Sequence, residues 1–361
     1  AIDGEYNPLR DLPAPRMPIL LLNRREVAAL LPMAECIPAM EAAFRALATG
    51  QGGQPRRFLV WSPDRAGLLG EMPGFLAPDW TGPVPALDGG PSRGILGTKL
   101  VSVFPGNRAK GEESHLGMVA LFEGERGRPL AILDGASITA IRTAAVSGLA
   151  TRLLARPEAG DLALLGSGIQ AHTHLEAMRQ VRSLRRVRVY SPRPASRSAF
   201  VAAWKAKGVE VEAVGDAREA VTGADLICTV TSSREPVLLG EWIAPGAHVN
   251  AVGSSSPAYR ELDAAAVARA RLFVDLKEST FAESGDFLLA RNEGAVTDEH
   301  IAGELGDLVL GRIAGRRSPD EITLAKLLGL AVEDLVAALH VYRKAMEQGM
   351  GTPWDSDGGE R

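Results

Sequence analysis

Asp161-Leu-Ala-Leu-Leu-Gly166-Ser-Gly168-Ile-Gln-Ala171 is the stretch that decides the fold. Its first five residues are an apolar run too short for a helix, and an amphipathic helical pattern follows to about Val181. In this context Gly166 permits a tight turn, and Gly168 lets the backbone approach a pyrophosphate. The small Ala171 lets the helix pack closely on the strand. Backbone N–H groups at the helix start then face the anion. We therefore predict that a dinucleotide binds to Gly166, Ser167, Gly168, Ile169, Gln170 and Ala171.

On the carboxyl side of this loop, strand and helix patterns alternate. Strands are predicted at residues 187–190, 209–214, 226–231, 248–253 and 271–275, and helices at 195–207 and 217–222. This rhythm indicates an α/β fold class with a Rossmann-type, doubly wound parallel sheet. On the amino side, residues 54–120 contain short β-like pieces punctuated by Gly and Pro, which predict a largely antiparallel sheet.

The two ends of the chain carry helical patterns. After a predicted strand at 17–22, Asn23 is placed to cap a helix at 24–31, and a second helix is predicted at 38–50. The tail 323–350 has the pattern of one helix with an apolar stripe. That stripe either packs on its own core or helps to form a dimer interface.

Composition excludes several classes of protein. With 361 residues, the chain is long enough for two domains, or for one domain with a second lobe. Apolar residues make up 46% and charged residues 23%, which excludes disorder, collagen-like repeats and disulfide scaffolds. The net charge of −4 supplies no field that would attract nucleic acid or an anionic membrane surface. Cys36 and Cys228 are expected as buried small hydrophobic residues.

The sequence also lacks the patterns of membrane insertion and secretion. No apolar run approaches the roughly 18 residues that span a bilayer. Residues 1–16 hold acids and prolines without the apolar core of a signal peptide, and they predict a flexible leader. We therefore expect a soluble, cytoplasmic protein without a nucleic-acid or membrane partner.

The end of the second parallel strand indicates which dinucleotide is bound. NAD sites usually place Asp or Glu there for the ribose 2′-OH. This chain has Ser191, followed by Arg193 and Arg197, and no acid occurs between Tyr190 and Ala203. Because arginine can grip a 2′-phosphate that a carboxylate would repel, NADPH is favoured over NADH. One of the two arginines is expected to be a solvated surface charge.

Metal and nucleophile motifs are missing from the sequence. There is no CxxC, HExxH or GxSxG, and His172 and His174 are two positions apart on a predicted helix, where side chains do not face each other. We therefore expect no metal site, and we assign the chemistry to the nicotinamide. Thr231, Val252 and Gly253 end parallel strands at the crevice where ligands bind, so we expect them beside the nicotinamide.

With these motifs in place, the chain resembles the ornithine cyclodeaminase/mu-crystallin family from about Met17 to Gly351. The resemblance rests on GTKLVSVFPGN with Lys99, LDGASITAIRTAAVSGLA with Arg142, GSGIQAHTHLEAM, TVTSSREPVL, VNAVGSSSPAYRELD and LGLAVEDLVAA. It implies a homodimer, with a substrate-binding and dimerisation lobe of α+β type built from both chain ends. On this basis we expect that lobe at 17–140 and 323–361, and an NADP-binding Rossmann domain at 141–322.

The resemblance also implies that Arg57, Lys99 and Arg142 line the substrate pocket, with Met72 beside them, and hold an amino-acid-type carboxylate. Charge-assisted donors suit that task, since each is worth about 1.5–3 kcal/mol net. Arg142 stands in an otherwise small and apolar helix, where a buried charge without an anion would be costly. Arg57 has Arg56 as its neighbour, and one of the two is expected at the surface.

The chain departs from the ornithine cyclodeaminases at their catalytic acids. Ser255 occupies the place of the aspartate that follows Asn-Ala-Val-Gly, and the glutamate expected two residues before Met-Pro is shifted or lost, with Gly70 there and Glu71 directly before Met72. Serine cannot serve unaided as the base that deprotonates a substrate ammonium. Serine at this position is similar to the mu-crystallin-type ketimine reductases, in which Lys99, Arg142 and Ser255 would be catalytic. A simpler interpretation of residues 254–256 is a flexible polar loop.

We therefore expect an NADPH-dependent reductase of cyclic ketimine carboxylates, which converts Δ1-pyrroline-2-carboxylate or Δ1-piperideine-2-carboxylate to L-proline or L-pipecolate. Lys99 or solvent would supply a proton to the imine. Four alternatives stay open: an alanine dehydrogenase-like enzyme, an opine-type dehydrogenase, ornithine cyclodeaminase itself, and a non-catalytic NADPH-binding protein.

Overall fold

The computed structural model describes residues 18–78, 80 and 94–355, without the side chains of 108 and 109. The predicted leader at 1–16 lies outside the described residues, as does 356–361. The strands are β1 (Ile19–Leu22), β2 (Gly52–Gly53), β3 (Phe58–Trp61), β4 (Leu68–Leu76), β5 (Ile95–Val103), β6 (His115–Glu123), β7 (Pro129–Asp134), β8 (Asp161–Leu165), β9 (Arg186–Tyr190), β10 (Glu212–Ala213), β11 (Leu226–Thr229), β12 (His248–Ala251), β13 (Arg271–Val274), β14 (Ile301–Glu304), β15 (Thr323–Lys326) and β16 (Thr352–Trp354). The helices are α1 (Arg24–Leu30), α2 (Met33–Thr49), α3 (Gly135–Leu154), α4 (Ile169–Val181), α5 (Pro194–Lys205), α6 (Ala217–Val221), α7 (Ala264–Arg269), α8 (Lys277–Glu283), α9 (Gly285–Asn292), α10 (Leu305–Val309) and α11 (Ala331–Gln348).

The first sheet has the order β16-β1-β7-β6-β5-β4-β2, with β3 also paired to β4. Its pairs are antiparallel except β1 with β7, which confirms the antiparallel sheet predicted from residues 54–120. Asn23 caps α1 as predicted: its side chain accepts the N–H groups of Arg25 and Glu26, and Glu26 accepts the Asn23 N–H in return. Helix α2 begins at Met33, before the predicted start at Pro38, because burial of its first turn outweighs the proline inside it.

The second sheet confirms the doubly wound parallel fold. Its order is β10-β9-β8-β11-β12-β15-β13-β14, and all its pairs are parallel. The chain runs outward from β8 through β9 to β10 and then crosses back to β11 on the other side of β8. This reversal creates a crevice at the carboxyl ends of β8 and β11, where ligands of such sheets bind.

The structure corrects the interpretation of the tail. The helix predicted from Thr323 is wrong for its first residues, because Thr323–Lys326 is a strand buried between β12 and β13. All four of its residues, Thr-Leu-Ala-Lys, are buried, so the segment lacks the strict alternation of apolar and polar side chains by which a strand is recognised. The domain boundary expected between residues 322 and 323 therefore separates this strand from its own sheet. The domain boundary expected between residues 140 and 141 falls inside α3.

Helix α11 is the main contact between the tail and the first lobe. Its apolar stripe, including Leu335, Val336, Leu339 and Tyr342, is buried, so the stripe packs on the protein's own core. Among the described residues no single helix is long and apolar enough to cross a membrane. Only α1 and α2 taken together have the length and apolar composition of a membrane span, and the two helices meet at a bend of 82°.

Candidate functional site

The glycine loop after β8 has the geometry that its sequence predicts. Gly166 has a φ of +120°, and a Cβ there would lie 2.7 Å from the carbonyl oxygen of Val230, so a larger residue would be strained. A Cβ on Gly168, in contrast, would meet nothing within 4 Å. Ala171, in the first turn of α4, is fully buried.

The start of α4 fits the pyrophosphate of a dinucleotide. Gly168 is the N-cap and provides no side-chain hydrogen bond, so the first N–H groups of this helix of 13 residues are available to an anion. Ser167 is half-buried and Ile169 is exposed. The side-chain oxygen of Gln170 is buried without a hydrogen-bond partner among the described residues, so this loop can accept a further donor. The open space at Gly168 and the uncapped helix together would hold the phosphates.

The residues after β9 lie where the adenosine ribose would bind in this fold. Ser191 is buried, and the Arg197 guanidinium donates a hydrogen bond to its carbonyl oxygen. The same guanidinium lies 5.8 Å from the centre of the Tyr190 ring. Arg193 is exposed at the N-cap of α5. Two cationic side chains therefore stand at this strand end, and Arg197 is the one held in place.

Glu261 joins the ends of β11 and β12. Its carboxylate accepts hydrogen bonds from the Thr229 hydroxyl (2.8 Å), the Thr231 N–H (2.6 Å), the Thr231 hydroxyl (2.7 Å) and the Gly253 N–H (2.7 Å). Glu261 is fully buried, and burial raises its pKa, with Asp286 contributing. Thr231 and Gly253, both expected beside the nicotinamide, are thus brought together, whereas Val252 bonds by its N–H to the Thr229 carbonyl.

A buried ion pair supports this group from behind. Lys326 at the end of β15 lies 2.8 Å from Asp286, and its ammonium donates to the Ser254 carbonyl at 2.6 Å. Asp286 in turn accepts the N–H groups of Glu261 and Leu262. Because every donor here has a fixed acceptor, the network holds the crevice edge rigidly.

The predicted substrate cations Lys99 and Arg142 meet at the start of α11. Lys99 Nζ lies 2.6 Å from Asp334 Oδ2, and Arg142 Nε lies 2.9 Å from Asp334 Oδ1. Arg142 Nη1 also lies 2.7 Å from Glu333 Oε2. All four side chains are at most 5% exposed. The remaining N–H groups of Lys99 and Arg142 make no hydrogen bonds to the described residues, so they can bind a further anion.

Burial and charge shift the pKa values in this cluster. Burial lowers the pKa of Lys99 to about 8, although Asp334 opposes the change. Burial also opposes the charge of Arg142, but Asp334 and Glu333 outweigh it and raise its pKa. Burial raises the pKa of Glu333 to about 7, against the attraction of Arg142. The cluster therefore contains two groups that titrate near neutral pH.

Arg57 reaches the same place from the segment before β3. Its guanidinium lies 3.0 Å from Glu283 at the end of α8 and donates to the carbonyls of Leu328 and Gly329 at 3.3 and 3.0 Å. Asp275, after β13, accepts the N–H groups of those same two residues. The loop between β15 and α11 is thus held from both lobes. The adjacent Arg56 is exposed, as expected for one of these two neighbouring arginines.

Gly329 in this loop allows Arg142 to approach. Its φ is +82°, and a Cβ there would lie 2.6 Å from Arg142 Nη1. Met72 is buried and lies opposite Lys99 in the β4–β5 pairing, whereas Glu71 is exposed. Ser255 is exposed in the loop after β12, and no hydrogen bond joins it to Lys99 or Arg142 in the described part of the structure. The structure therefore groups Arg57, Lys99, Arg142 and Met72, and leaves Ser255 apart.

The histidines and cysteines have structural surroundings. His172 stacks near Phe200 and accepts the Trp204 indole N–H, and His174 is buried against Ser147. No group of three or more His, Cys, Asp or Glu side chains among residues 18–78, 80 and 94–355 could hold a metal ion. Cys36 and Cys228 are free and buried, as predicted.

Sequence reasoning missed the carboxylates of the site. Those that matter most are Glu261, Asp275, Glu283, Asp286, Glu333 and Asp334. Two adjacent acids at the start of an apolar helix were the available signal, since the buried Arg142 requires a counterion. Glu261 gave no comparable signal, because Thr231 and Thr229 lie 30 and 32 positions away and its nearer partner, Gly253, contributes only a backbone N–H.

Comparison with known proteins agrees with this architecture. The sequence profile of the ornithine cyclodeaminase/mu-crystallin family matches residues 18–349. Ketimine reductase mu-crystallin of Mus musculus is 40% identical over 309 residues, which cover 85% of this chain and 90% of the relative.

Two solved structures are similar throughout. One is Δ1-pyrroline-2-carboxylate reductase of Thermococcus litoralis in complex with NADH and L-proline, with a TM-score of 0.86, 37% identity, and coverage of 92% of this chain and 99% of that one. The other is an archaeal alanine dehydrogenase dimer with bound NAD, with a TM-score of 0.85, 31% identity, and coverage of 94% and 100%.

Proposed function

The chain belongs to the ornithine cyclodeaminase/mu-crystallin family, and from this premise we propose that it reduces cyclic ketimine carboxylates with NADPH. It is an NAD(P)H-dependent oxidoreductase that acts on C=N bonds. The proposed substrates are Δ1-pyrroline-2-carboxylate and Δ1-piperideine-2-carboxylate, and the products are L-proline and L-pipecolate. One observation carries the choice: Lys99 and Arg142 are buried together, with unused donors, beside the loop that follows the carboxyl end of β15 in the parallel sheet.

The first task of the site is to hold the substrate carboxylate. The unused N–H groups of Arg142 and the Lys99 ammonium would bind its two oxygens, and the buried surroundings strengthen each bond. Asp334 fixes both cations in advance, so little side-chain entropy is lost on binding. Positioning of this kind brings the imine carbon to one fixed place in the crevice.

The second task is to complete the reduction of the C=N bond. When bound, the nicotinamide supplies the hydride. Lys99, whose pKa is lowered to about 8, can donate a proton at neutral pH to the imine nitrogen and regain it from solvent. Met72 and the buried cluster exclude water from the carboxylate side. Ser255 would orient the substrate or a water molecule from the loop after β12.

The preference for NADPH is supported by the cations at the end of β9. Arg197 is held by the Ser191 carbonyl and forms no ion pair with a carboxylate among the described residues, and Arg193 is exposed beside it. We expect Arg193→Ala and Arg197→Ala to weaken NADPH binding about 10-fold or more, since each charge-assisted bond contributes about 1.5–3 kcal/mol, and to leave NADH binding nearly unchanged. Equal losses for both cofactors would contradict this assignment.

The function is tested by following the absorbance of NADPH with each cyclic imine in turn. Rapid oxidation with either ring, and little with pyruvate plus ammonia, supports the proposal. Faster oxidation with pyruvate plus ammonia favours an alanine dehydrogenase, and a requirement for a second amino acid favours an opine-type enzyme. Formation of proline from ornithine with NAD⁺ would refute the interpretation of Ser255. Tight NADPH binding without any turnover would favour a binding protein.

We also propose that the protein acts as a homodimer through the outer face of its first sheet. Phe58, Val60, Leu69, Leu96 and Met118 on β3 to β6 are all exposed, an apolar surface that single soluble chains rarely leave open. A second copy would cover it. Light scattering should give twice the chain mass, and Val60→Asp should give the monomer. A wild-type monomer at micromolar concentration would contradict the proposal.

A further inference from the structure

The charges around the proposed carboxylate site are already balanced before a substrate arrives. Lys99 and Arg142 face Glu333 and Asp334, two cations against two carboxylates, at distances of 2.6 to 2.9 Å. A substrate carboxylate would add a third anion to a cluster that is almost fully removed from water. Because like charges in such a place repel strongly, one of the three anions must take up a proton or bind weakly.

Glu333 is the member of the cluster whose negative charge is least supported. Its Oε2 binds Arg142, but Oε1 is buried without a well-formed hydrogen bond to any described residue. The Leu330 N–H lies near this carboxylate and only partly offsets its burial. Asp334 is better supported, since its two oxygens lie against two different cations. An ionised oxygen without a donor is costly in a buried site, and a proton on Oε1 removes that cost.

We propose that Glu333 takes up a proton when the substrate carboxylate binds to Lys99 and Arg142, so that substrate and hydrogen ion enter the site together. This inference rests on the proposed function, since it requires an anionic ligand at these two cations. Before binding, burial raises the pKa of Glu333 to about 7, so near neutral pH the group is poised to accept the proton. The new anion raises that pKa further.

The other titratable groups around Glu333 do not replace it in this role. Asp275 lies nearby and adds negative charge, and burial raises its pKa as well, but backbone N–H groups bind both of its carboxylate oxygens, unlike Glu333 Oε1. Cys36 on α2 also faces the cluster, and burial raises the pKa of its thiol so that it stays neutral. Glu283 pairs with Arg57 at 3.0 Å, and burial raises its pKa, which makes it the competing candidate.

Calorimetry can count the proton. Pyrrole-2-carboxylate is a planar carboxylate with no other group that titrates near neutral pH, and it cannot be reduced by the cofactor. It is titrated into protein saturated with NADPH, at pH 7.0, in buffers of different ionisation enthalpy. The slope of the binding enthalpy against the buffer enthalpy gives the number of protons taken up. With a pKa near 7, half of Glu333 is unprotonated at pH 7.0, and about a tenth of Lys99 is, so we expect an uptake of about 0.6 proton.

Two variants assign this proton. Glu333→Gln should bind the probe with an uptake of about 0.1 proton. This remaining uptake belongs to Lys99, whose pKa is about 8. Glu283→Gln is the matched control and should keep an uptake of about 0.6. In wild-type protein alone, uptake should fall to about 0.1 at pH 6 and rise to about 1 at pH 7.5, a series that does not depend on either variant folding.

The outcomes separate this inference from the proposed function. Binding without proton uptake in wild-type protein, or an unchanged uptake in Glu333→Gln, would overturn the role of Glu333 and leave the carboxylate site intact. Loss of the uptake in Glu283→Gln would likewise overturn it. Failure of the probe to bind at all would refute the carboxylate site, and this inference with it.

Discussion

Replacing Asp334 by Asn removes a carboxylate that touches both buried cations of the site. The change keeps the size of the side chain but leaves Lys99, 2.6 Å away, facing only a neutral amide, and weakens the bond to Arg142 Nε. Lys99 and Arg142 are 4% and 5% exposed, so water cannot replace the lost charge. Breaking a buried ion pair in this way costs about 3–5 kcal/mol of the free energy of unfolding. Two charge-assisted hydrogen bonds of about 1.5–3 kcal/mol each lead to the same range.

The assay is urea unfolding at pH 7.0, followed by circular dichroism, for Asp334→Asn and a matched control. Asp307→Asn is the control, because Asp307 pairs with Arg312 at 3.5 Å and both side chains are at least one-third exposed. We expect the control to lose less than about 1 kcal/mol. A second readout is the pH dependence of pyrrole-2-carboxylate binding: since Asp334 raises the pKa of Lys99, its removal should shift the part of the affinity loss that is due to Lys99 from near pH 8 to lower pH. Equal unfolding midpoints for the two variants would refute the reasoning.

Three further predictions concern the cofactor loop, the crevice and the pH profile. Gly166→Ala should destabilise the protein, whereas Gly168→Ala should keep wild-type stability and lose dinucleotide affinity, as measured by thermal unfolding and fluorescence titration. Glu261→Gln should cost about 2–4 kcal/mol in urea unfolding and weaken NADPH binding, because its amide group faces N–H and O–H donors. In wild-type protein the Kd of pyrrole-2-carboxylate should rise with pH above 7, where Glu333 must take up a proton to bind it, and more steeply above pH 8 as Lys99 loses its charge; Lys99→Arg should keep the first rise and lack the steeper one.

For each of these three predictions, one outcome would contradict the reasoning. Similar stability of Gly166→Ala and Gly168→Ala would mean that the positive φ is not required. Wild-type NADPH affinity in Glu261→Gln would separate the carboxylate from the cofactor crevice. A pH profile that is the same in wild-type protein and Lys99→Arg would assign the titration to another group.

Local features of this protein could be predicted from the sequence, because their causes lie within a few residues. The turn at Gly166, the small Ala171 and the Asn23 cap depend on neighbours in the chain, and the structure has each of them. The requirement of Arg142 for a buried anion was also visible, since an arginine in an apolar helix needs one. The sequence pattern did not identify that anion as Glu333 and Asp334, 191 and 192 positions away.

Features that depend on distant pairing were missed. Thr323–Lys326 is buried on both faces, so it lacks the alternation by which a strand is recognised, and the helical pattern of α11 extended over it. Glu261 acts only because folding brings two strand ends to it. Ser255 is the opposite case. The sequence motif predicted a catalytic role for it, but in the structure it is exposed and has no contact to Lys99 or Arg142 among the described residues.

The position of β15 has a consequence for how the protein folds. Thr323 pairs with His248, 75 residues earlier, and its strand separates β12 from β13, so the sheet stays in two pieces until this late segment arrives. Pairings so distant in the chain make folding slow and leave strand edges open to aggregation. Glu333 and Asp334 follow directly after that strand. A chain shortened before Thr323 would therefore lose both binding sites at once, because the nucleotide sheet and the substrate pocket are completed by the same folding step.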